Sequence, residues 1–253
     1  MKPDLQIRQN GGGVVQEISA GCWRMEIPAG PAGVYRLAEL DDHLHAARAR
    51  FPWCAPARLE LRARVSTADL PGTWGFGFWN NPFSASLGVR GTARRLPVLP
   101  NAAWFFHAGL PNYLAFRDTH PADGFLAATF SALQVPSPAL APAVLALPLL
   151  ALPPAARLLR RVARLLIGED GASVPGDPTQ WHNYRLEWGE DRVRFFIDDR
   201  FFFTTTVSPR GRLGLVIWMD NQYAAFPPSG KLRSGSSPNP DPAWLEVDQI
   251  ECA

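Results

Sequence analysis

Cysteine is scarce in this chain of 253 residues, and so is methionine, with three of each. The cysteines are Cys22, Cys54 and Cys252, which are too few for a dense disulfide scaffold. Their odd number leaves at least one free thiol or an intermolecular bond. None of them stands in a C-x-x-C pair, which argues against a zinc site built from cysteines.

The chain also lacks a large excess of charge of either sign, because it has 25 Lys and Arg residues and 23 Asp and Glu residues. Proteins that bind nucleic acid usually carry a clustered basic excess, so we expect no nucleic-acid partner. The chain has no phosphate-cradling glycine loop, no G-x-S-x-G elbow and no dinucleotide fingerprint. The first residues lack the apolar stretch of a secretory signal, which predicts a cytoplasmic location.

What the chain does contain is typical of strands and turns: nine Trp, fifteen Phe, 25 Pro and 21 Gly. Several stretches alternate between apolar and polar residues, as half-buried strands do, and polar turns separate them. We predict strands at residues 23–27, 34–40, 59–65, 73–79, 103–108, 113–117, 125–133, 181–188, 192–198, 201–207, 213–219 and 244–251. This pattern predicts an all-β sandwich or barrel.

One segment, residues 134–168, breaks the pattern and predicts an apolar, mainly helical insert. Residues 139–156 are almost wholly Ala, Leu, Val and Pro, and the prolines that interrupt this run argue against a membrane span: Pro142, Pro148, Pro153 and Pro154. The second half predicts a cationic amphipathic helix. Its aliphatic face comprises Leu158, Leu159, Val162, Leu165 and Leu166, and its cationic face comprises Arg157, Arg160, Arg161 and Arg164. Either the aliphatic face packs on the sandwich, or it forms a lid or a contact with an anionic membrane surface.

The motif that begins at Trp181 and ends at Asp199 resembles a known family signature. Its letters, WHNYRLEW and then VRFFIDD, are similar to the W-H-x-Y-x-x-E-W and V-x-F-x-x-D-G motifs of glycoside hydrolase family 16. The departure is Asp199, where that pattern usually has Gly. Residues 72–79 and 244–250 also resemble strands of this family. The resemblance implies a concanavalin A-like, two-sheet antiparallel jelly roll with one concave face, over a single domain 1–253 interrupted by the insert.

The family's catalytic motif, E-x-D-x-E or E-x-D-x-x-E on one strand, is missing from the chain. The strand expected to carry it is 103–108, and residues 73–117 contain neither Asp nor Glu. Retaining hydrolysis needs two carboxyl groups about 5 Å apart, which this strand does not supply. The resemblance also implies at most one structural calcium and no other cofactor.

A cleft of aromatic and polar side chains is expected where strands 73–79 and 213–219 end in polar residues. Aromatic rings stack on sugar faces, while amides and carboxylates bind hydroxyl groups. The candidate ligand-binding residues are Trp74, Phe78, Trp79, Asn80, Asn81, Trp104, Phe106, Trp218, Asn221, Gln222 and Tyr223. The alternative is that Asp220 and Asn221 serve only a turn.

Two residues are candidates for acid/base chemistry, His107 and Asp220. A histidine in an apolar strand can equally be a hydrogen-bonded core residue. We therefore predict a protein that binds a carbohydrate or a lipophilic small molecule, with an enzyme whose active site is rebuilt in the same cleft as the alternative. A third hypothesis is a protein that is peripheral at a membrane.

The terminal strands are expected to lie side by side, as they commonly do in such sandwiches. Cys22 and Cys252 lie on these strands, so a bridge between them is a further alternative.

Overall fold

Strands make up most of the regular structure in the computed structural model, which describes residues 3–82, 98–133 and 151–253. The strands are β1 (Gln6–Asn10), β2 (Val14–Ser19), β3 (Cys22–Ile27), β4 (Leu37–Asp41), β5 (Ala57–Val65), β6 (Thr73–Trp79), β7 (Ala102–Ala108), β8 (Gly124–Ala132), β9 (Ile167–Ser173), β10 (His182–Trp188), β11 (Val193–Ile197), β12 (Arg200–Thr205), β13 (Gly214–Asp220), β14 (Gln222–Ala225), β15 (Arg233–Ser236) and β16 (Ala243–Cys252). A 3₁₀ turn spans Arg48–Arg50, and helix α1 spans Pro153–Leu166.

Two sheets of seven strands each form the body of the molecule. The first, here called the cavity sheet, has the order β1-β4-β13-β6-β7-β8-β9. The second, here called the outer sheet, has the order β12-β11-β10-β5-β16-β3-β2. Neighbouring strands within both sheets are antiparallel, and β14 and β15 form a separate hairpin. The prediction of an all-β antiparallel sandwich is confirmed.

The hydrophobic core lies between the two sheets. In β5 of the outer sheet, buried positions alternate with more exposed ones, as expected for a strand with one face towards the core. In the cavity sheet, every residue of β13 is buried and so are the five central residues of β6. One face of these strands packs on the outer sheet, and their other face lines a cavity.

The predicted insert is described only from residue 151 onward. Helix α1 begins at Pro153, a position where the missing proline N–H costs no helical hydrogen bond. Strand β9 starts at Ile167, so the last two residues of the predicted insert belong to the cavity sheet. Residues 134–150, which hold most of the apolar run, lie outside the described residues. A mainly helical insert is therefore not supported beyond α1.

The strand predicted at 113–117 is wrong. This segment forms a loop that is tied to the sandwich by an isolated bridge between Tyr113 and Ala225 and by the carboxylate of Glu169. Strands β1, β2, β9, β14 and β15 were not predicted. Most of their residues are polar or small, and the aliphatic residues of β2, Val14, Val15 and Ile18, do not alternate with polar ones.

The turn that joins β11 to β12 accounts for the departure from the family motif. Asp198 and Asp199 have φ values of 49° and 60°. Positive φ at both central residues is the geometry of a type I′ turn, for which glycine is common and aspartate is tolerated. Asp199 therefore occupies a glycine-type position without changing the hairpin.

The three cysteines form no disulfide. Strand β3, which contains Cys22, pairs with the last strand, β16, with Trp23 opposite Val247, whereas the first strand, β1, pairs with β4 in the cavity sheet. Cys252 lies five residues beyond Val247 and pairs with Leu59 of β5, so Cys22 and Cys252 do not face each other. The alternative of a bridge between them is wrong.

Candidate functional site

A cavity of about 730 Å³ opens on the face of the cavity sheet that points away from the core. Strands β1, β4, β13, β6, β7, β8 and β9 all contribute to it, and so do the loop 112–122 and the β14–β15 hairpin. Its lining includes Arg8, Tyr35, Glu39, Thr73, Trp79, Asn80, Asn81, Trp104, Phe106, Asn112, Phe116, His120, Phe130, Glu169, Asp170, Trp218, Asp220, Gln222 and Tyr223.

The centre of the cavity is a layer of aromatic rings. Trp79 and Trp218 are nearly parallel, with ring centroids 6.3 Å apart. Phe106 stacks on Trp104 at 5.2 Å and on Trp218 at 5.7 Å. This layer, Trp79, Trp104, Phe106 and Trp218, is here called the aromatic floor. It presents apolar ring surface over several neighbouring strands.

Glycines in β6 make room for this floor. Gly75 and Gly77 alternate with the core residues of β6, so they face the cavity. A Cβ atom on Gly75 would lie 3.0 Å from the Trp218 ring, and one on Gly77 would lie 2.5 Å from Cα of Trp104. A glycine within a strand often marks a close approach to the backbone. Here the approaching groups are the backbone of β7, at the carbonyl oxygens of Phe105 and Ala103, and the Trp218 ring.

At one end of the floor, Asp220 is the centre of a hydrogen-bond network. The indole N–H of Trp218 donates to Oγ1 of Thr73 at 2.9 Å. Thr73 in turn donates to Oδ1 of Asp220 at 2.8 Å, and the backbone N–H of Gln222 donates to the same oxygen at 3.1 Å. The other oxygen, Oδ2, lies 3.4 Å from the hydroxyl of Tyr35.

This network determines where a proton on Asp220 would reside. An indole N–H only donates, so the Thr73 hydroxyl must accept from Trp218 and donate to Oδ1. Oδ1 is thus an acceptor twice over, and a proton on the carboxyl group belongs on Oδ2. Burial raises the pKa of Asp220 to about 7, against the opposing effect of the hydrogen bond from Thr73.

A second carboxylate, Glu39, lies on the next strand of the same face. Glu39 is directly opposite Trp218 on β13 and opposite Arg8 on β1. Arg8 donates to Oε1 of Glu39 at 3.2 Å. Burial raises the pKa of Glu39, and the positive charge of Arg8 opposes that rise. Of the two acids, Glu39 therefore has the cation that stabilises its charged form.

The far wall of the cavity is fixed by Glu169 of β9. Its carboxylate accepts backbone N–H bonds from Phe116 at 2.9 Å and from Arg117 at 2.9 Å. Asn112 braces the same loop by donating to the carbonyls of Gly72 and Gly109 and by accepting from the N–H of Ala224. These groups position the wall and are occupied by the protein's own backbone.

The two polar strand ends do not meet as the sequence analysis expected. Strands β6 and β13 are neighbours, but they are antiparallel, with Thr73 opposite Asp220 and Trp79 opposite Gly214. Asn80 and Asn81 consequently lie at the opposite end of the floor from Asp220. Both line the cavity, and Asn80 is held by the backbone of Leu99 and Asn101.

Four candidates do not line the cavity: Trp74, Phe78, His107 and Asn221. Trp74 and Phe78 point between the sheets because β6 alternates its faces. Asn221 is fully buried, and it accepts from the N–H of Arg36 and donates to the carbonyls of Val34 and Ser237. Their predicted roles in ligand binding are therefore not supported by their position.

His107 is a core residue. Its ring stacks on Trp74 at 5.4 Å, and Nε2 lies 3.3 Å from the carbonyl oxygen of Leu70. Burial lowers the pKa of His107, although the hydrogen bond to Leu70 opposes this. It faces away from Trp104 and Phe106 on β7, so it cannot act on a ligand held on the aromatic floor. Its position agrees with the alternative that His107 is a hydrogen-bonded core residue.

Strand β7, expected to carry the family's catalytic acids, presents Ala102, Trp104, Phe106 and Ala108 on the cavity side. The acids that the cavity does contain come from other strands. Glu39, with Arg8 and Tyr35 beside it, was missed by the sequence analysis, and so was Glu169. Glu39 stands in an apolar strand and its partner Arg8 lies 31 residues away, so no local pattern indicated it.

Helix α1 turns only part of its cationic face inward, because Arg160 is buried while Arg157 and Arg161 are exposed. Most of its aliphatic face does not pack on the sandwich, so that alternative is wrong. Its buried residues are Ala156, Arg160 and Ala163. Leu158, Leu159, Val162 and Leu165 are exposed, with Leu165 84% exposed, while Leu166 is half-buried. Arg161 is also exposed. The residues predicted to form a lid or a membrane contact therefore fall into two groups. One group is an aliphatic surface that faces outward, and the other is an arginine contact that faces the sandwich.

Arg160 makes that contact, and it is 2% exposed. It donates at 2.6 Å to the carbonyls of Ala115 and Phe226 and to the carboxylate of Asp118. Arg164 donates to the other oxygen of Asp118 at 2.6 Å. Hydrogen bonds from Arg160 and Arg164 lower the pKa of Asp118. This arrangement, the helix brace, holds the loop that forms the far wall of the cavity.

No cluster of three or more His, Cys, Asp or Glu side chains suited to a metal ion occurs among the described residues. A rim calcium held by backbone carbonyls stays a prediction. In the described ranges, no helix has both the length and the apolar character needed to cross a membrane.

Comparisons with known proteins give a structural likeness only. No family model matches the chain, and no curated protein matches it. Among solved structures, the chain is similar to an endo-β-galactosidase from Clostridium perfringens that releases GlcNAcα1-4Gal, at 11% identity and a TM-score of 0.45. That match covers 93% of this chain and 53% of the other, so the chain spans about half of the length of that protein.

Two further matches are glucan-related. One is a β-glucanase from Bacillus licheniformis, at 10% identity and a TM-score of 0.46, over 97% of this chain and 90% of that one. The other is a glycoside hydrolase family 16 protein from Bacteroides ovatus in complex with a mixed-linkage glucan product. It has 10% identity and a TM-score of 0.46, over 96% of this chain and 85% of that one. This is the family that the motif at 181–199 resembles.

Proposed function

We propose that this protein binds a carbohydrate in the cavity, with the sugar rings lying on the aromatic floor. The observation that carries this proposal is the floor itself, four aromatic side chains in mutual contact at the base of a cavity of about 730 Å³. That volume is in the usual range for small-molecule sites. The apolar faces of sugar rings are complementary to flat aromatic surface.

Polar groups around the floor supply the second half of carbohydrate recognition. Asp220 and Gln222 lie at one end of the floor, and Asn80 and Asn81 lie at the other. Amide and carboxyl groups can each donate to or accept from a hydroxyl, which gives orientation and specificity that ring contact does not. A purely lipophilic ligand would desolvate Asp220 and Gln222 without supplying any hydrogen bond to them, so we favour a carbohydrate over the lipophilic alternative.

The charges that line the cavity favour a neutral ligand. The carboxyl groups of Glu39, Glu169 and Asp170 outnumber the cation Arg8, even when Asp220 is counted as a neutral acid. An anionic sugar would approach these carboxylates at unfavourable electrostatic cost. We therefore expect neutral hexose oligosaccharides to bind more tightly than oligosaccharides of uronic acids.

Binding can be measured by calorimetry with laminaritetraose, cellotetraose and a tetragalacturonate as probes. We expect Trp104→Ala to weaken binding of the neutral oligosaccharide by about thirty-fold, which corresponds to the ~2 kcal/mol of an aromatic anchor. Trp244→Ala is the matched control, because Trp244 lies on the outer sheet and packs against Arg24. Equal loss in both variants, or no binding of any neutral oligosaccharide, would contradict the proposal.

A second candidate function rests on the exposed aliphatic surface of α1. Leu158, Val162 and Leu165 are 59%, 41% and 84% exposed, and Arg161 beside them is exposed as well. Aliphatic side chains flanked by arginine suit the interface of an anionic membrane. We propose weak, salt-sensitive attachment, which would make the protein peripheral at a membrane.

Flotation with vesicles tests this second candidate. The wild-type protein should float with vesicles that contain phosphatidylserine and remain unbound with pure phosphatidylcholine. Leu165→Glu should abolish flotation, whereas Leu110→Glu, at a residue that is 78% exposed elsewhere on the surface, should not. Flotation that is unchanged by Leu165→Glu would exclude the helix surface as the contact.

A further inference from the structure

The cavity contains two acids in different settings on adjacent strands, and both face the aromatic floor. Glu39 of β4 is directly opposite Trp218, and Asp220 of β13 is directly opposite Leu37. Residues opposite each other in an antiparallel pair share a face, so Glu39 and Asp220 are diagonal neighbours. Diagonal neighbours lie about 7–8 Å apart between backbone positions.

The two acids also have different hydrogen-bond partners, which suit them to opposite roles in proton transfer. The bonds from Thr73 and Gln222 to Oδ1 of Asp220 leave Oδ2 as the place for a proton. Oδ2 is next to the Tyr35 hydroxyl, which can accept as readily as it can donate. Arg8 is bonded to Oε1 of Glu39 and supports its negative charge. One acid is thus a proton donor and the other a proton acceptor.

We propose that Asp220 and Glu39 are a general acid and a general base that hydrolyse a glycosidic bond of a neutral oligosaccharide bound on the aromatic floor. This inference rests on the proposed function, because it requires the sugar to lie in the cavity. It assigns the chemistry to two strands, β4 and β13, and not to β7, where the family motif would place it.

In the proposed hydrolysis, one bond breaks, one bond forms and two protons move. The bond between the anomeric carbon and the glycosidic oxygen breaks, and the leaving oxygen takes the proton from Oδ2 of Asp220. A water molecule forms the new bond to the anomeric carbon and gives its proton to Glu39. Glu39 then releases a proton to solvent, and Asp220 takes one up.

The spacing of the acids predicts the stereochemistry of the product. Carboxyl groups about 6.5–9.5 Å apart leave room for a water molecule between base and sugar, which inverts the anomeric centre. The backbone positions of Glu39 and Asp220 are diagonal neighbours about 7–8 Å apart and both side chains line the same cavity, so we expect their carboxyl groups to be separated by a distance in this range. A β-linked substrate should therefore first give the α anomer.

The test is a hydrolysis assay on laminaritetraose and cellotetraose, followed by proton NMR to identify the first anomer formed. We expect Asp220→Asn and Glu39→Gln each to lower kcat by about a hundred-fold or more, as loss of a general acid or base does. Asp199→Asn is the matched control, because Asp199 is an exposed turn residue on the outer sheet. It should leave hydrolysis unchanged.

Folding of the variants can be checked independently of their activity. In Asp220→Asn the amide oxygen can replace Oδ1 and the NH₂ group can donate to Tyr35, so the variant should fold and bind oligosaccharide within about threefold of wild type. In the wild type, kcat should fall as pH rises through about 7, where Asp220 loses its proton. This pH profile is a readout that a merely structural role would not produce.

Three outcomes would overturn the inference. The first is binding of the oligosaccharides with no hydrolysis, which would leave the proposed function intact. The second is first formation of the β anomer, which is the product of a retaining mechanism. The third is full activity in Asp220→Asn. Failure of every neutral oligosaccharide to bind would instead contradict the proposed function itself.

Discussion

The acids of the cavity and the helix brace are both groups of carboxylates and arginines, but they differ in exposure. In the helix brace, Asp118 is largely exposed and receives bonds from Arg160 and Arg164. In the cavity, Asp220 is buried and its hydrogen bonds come from a hydroxyl and a backbone N–H. The pKa of Asp118 is lowered, and that of Asp220 is raised to about 7. A structural carboxylate is thus kept charged, while the cavity retains a proton donor.

The largest effect is expected from the helix brace. The substitution Arg160→Ala removes the guanidinium group that donates hydrogen bonds to the carbonyls of Ala115 and Phe226. We expect the free energy of unfolding to fall by about 3 kcal/mol, because buried acceptors and a charge partner lose their bonds. Urea denaturation followed by tryptophan fluorescence measures this loss.

The control for that experiment is Arg161→Ala. Arg161 is the next residue on the helix and is exposed, so its removal should change the free energy of unfolding by less than about 0.5 kcal/mol. If both variants lose the same stability, the inward contact of Arg160 is not what holds α1 to the sandwich.

The next effect concerns the cavity acid and depends on pH. The pKa of Asp220 in the folded protein is about 7, above its ordinary value of 3.8, so the folded state binds more protons between these values. Stability from this group is therefore present at low pH and is lost as pH rises through about 7. Asp220→Asn mimics the protonated acid. Between pH 5 and pH 8, its free energy of unfolding should therefore rise by roughly 2 kcal/mol relative to that of the wild type.

Thermal unfolding at the two pH values, converted to free energy, provides the comparison. In the helix brace, stability depends on pH with the opposite sign. The pKa of Asp118 is lowered, so the stability that this group contributes is lost as pH falls below about 4. A constant difference between Asp220→Asn and wild type from pH 5 to pH 8 would mean that Asp220 is ionised throughout.

A smaller effect is expected from the glycines under the aromatic floor. In Gly75→Ala the new methyl group would clash with the backbone carbonyl oxygen of Phe105, and it would also meet Cα of Phe106 and the Trp218 ring, each at 3.0 Å. We expect a loss of about 1.5 kcal/mol from overpacking and a weaker affinity for laminaritetraose, because the Trp218 ring must move. Gly168→Ala is the matched control, because Gly168 lies on β9 of the same sheet and no atom would come closer than 3.4 Å to its new methyl group.

The smallest effect on the site is expected from His107. The change His107→Leu removes the bond to the carbonyl of Leu70 and should cost about 1 kcal/mol of stability. Affinity for laminaritetraose should remain within twofold of wild type, because His107 faces the core. A variant that remains stable but loses ligand binding would show that His107 belongs to the site after all.

Sequence periodicity predicted which residues share a strand face, but it did not predict which face is the cavity. In β7, the alternation predicted that His107 lies on the other face of the strand from Trp104 and Phe106, and it does so in the structure. Both faces of this strand are aromatic, because one packs on the outer sheet and the other forms the floor. Hydrophobicity alone therefore cannot separate core from cavity, and Trp74 and Phe78 were assigned to the wrong side.

Long-range partners explain the other differences. The helix was predicted from its period, but its orientation depends on Asp118 and on the carbonyls of Ala115 and Phe226, which are 45 and 66 residues from Arg160 in sequence. An arginine with that many acceptors can be buried in place of a leucine. Glu39 was missed for the same reason, since only the pairing of β1 with β4 brings Arg8 to it.

The most direct test of this comparison is an NMR titration of the aspartate carboxyl carbons from pH 2.5 to pH 9, with the Asp220 resonance assigned from the Asp220→Asn variant. We predict a midpoint near 7 for Asp220 and a midpoint below the ordinary value of 3.8 for Asp118 in the same spectra. A midpoint for Asp220 at or below 4 would contradict the claim that the cavity holds a neutral carboxylic acid.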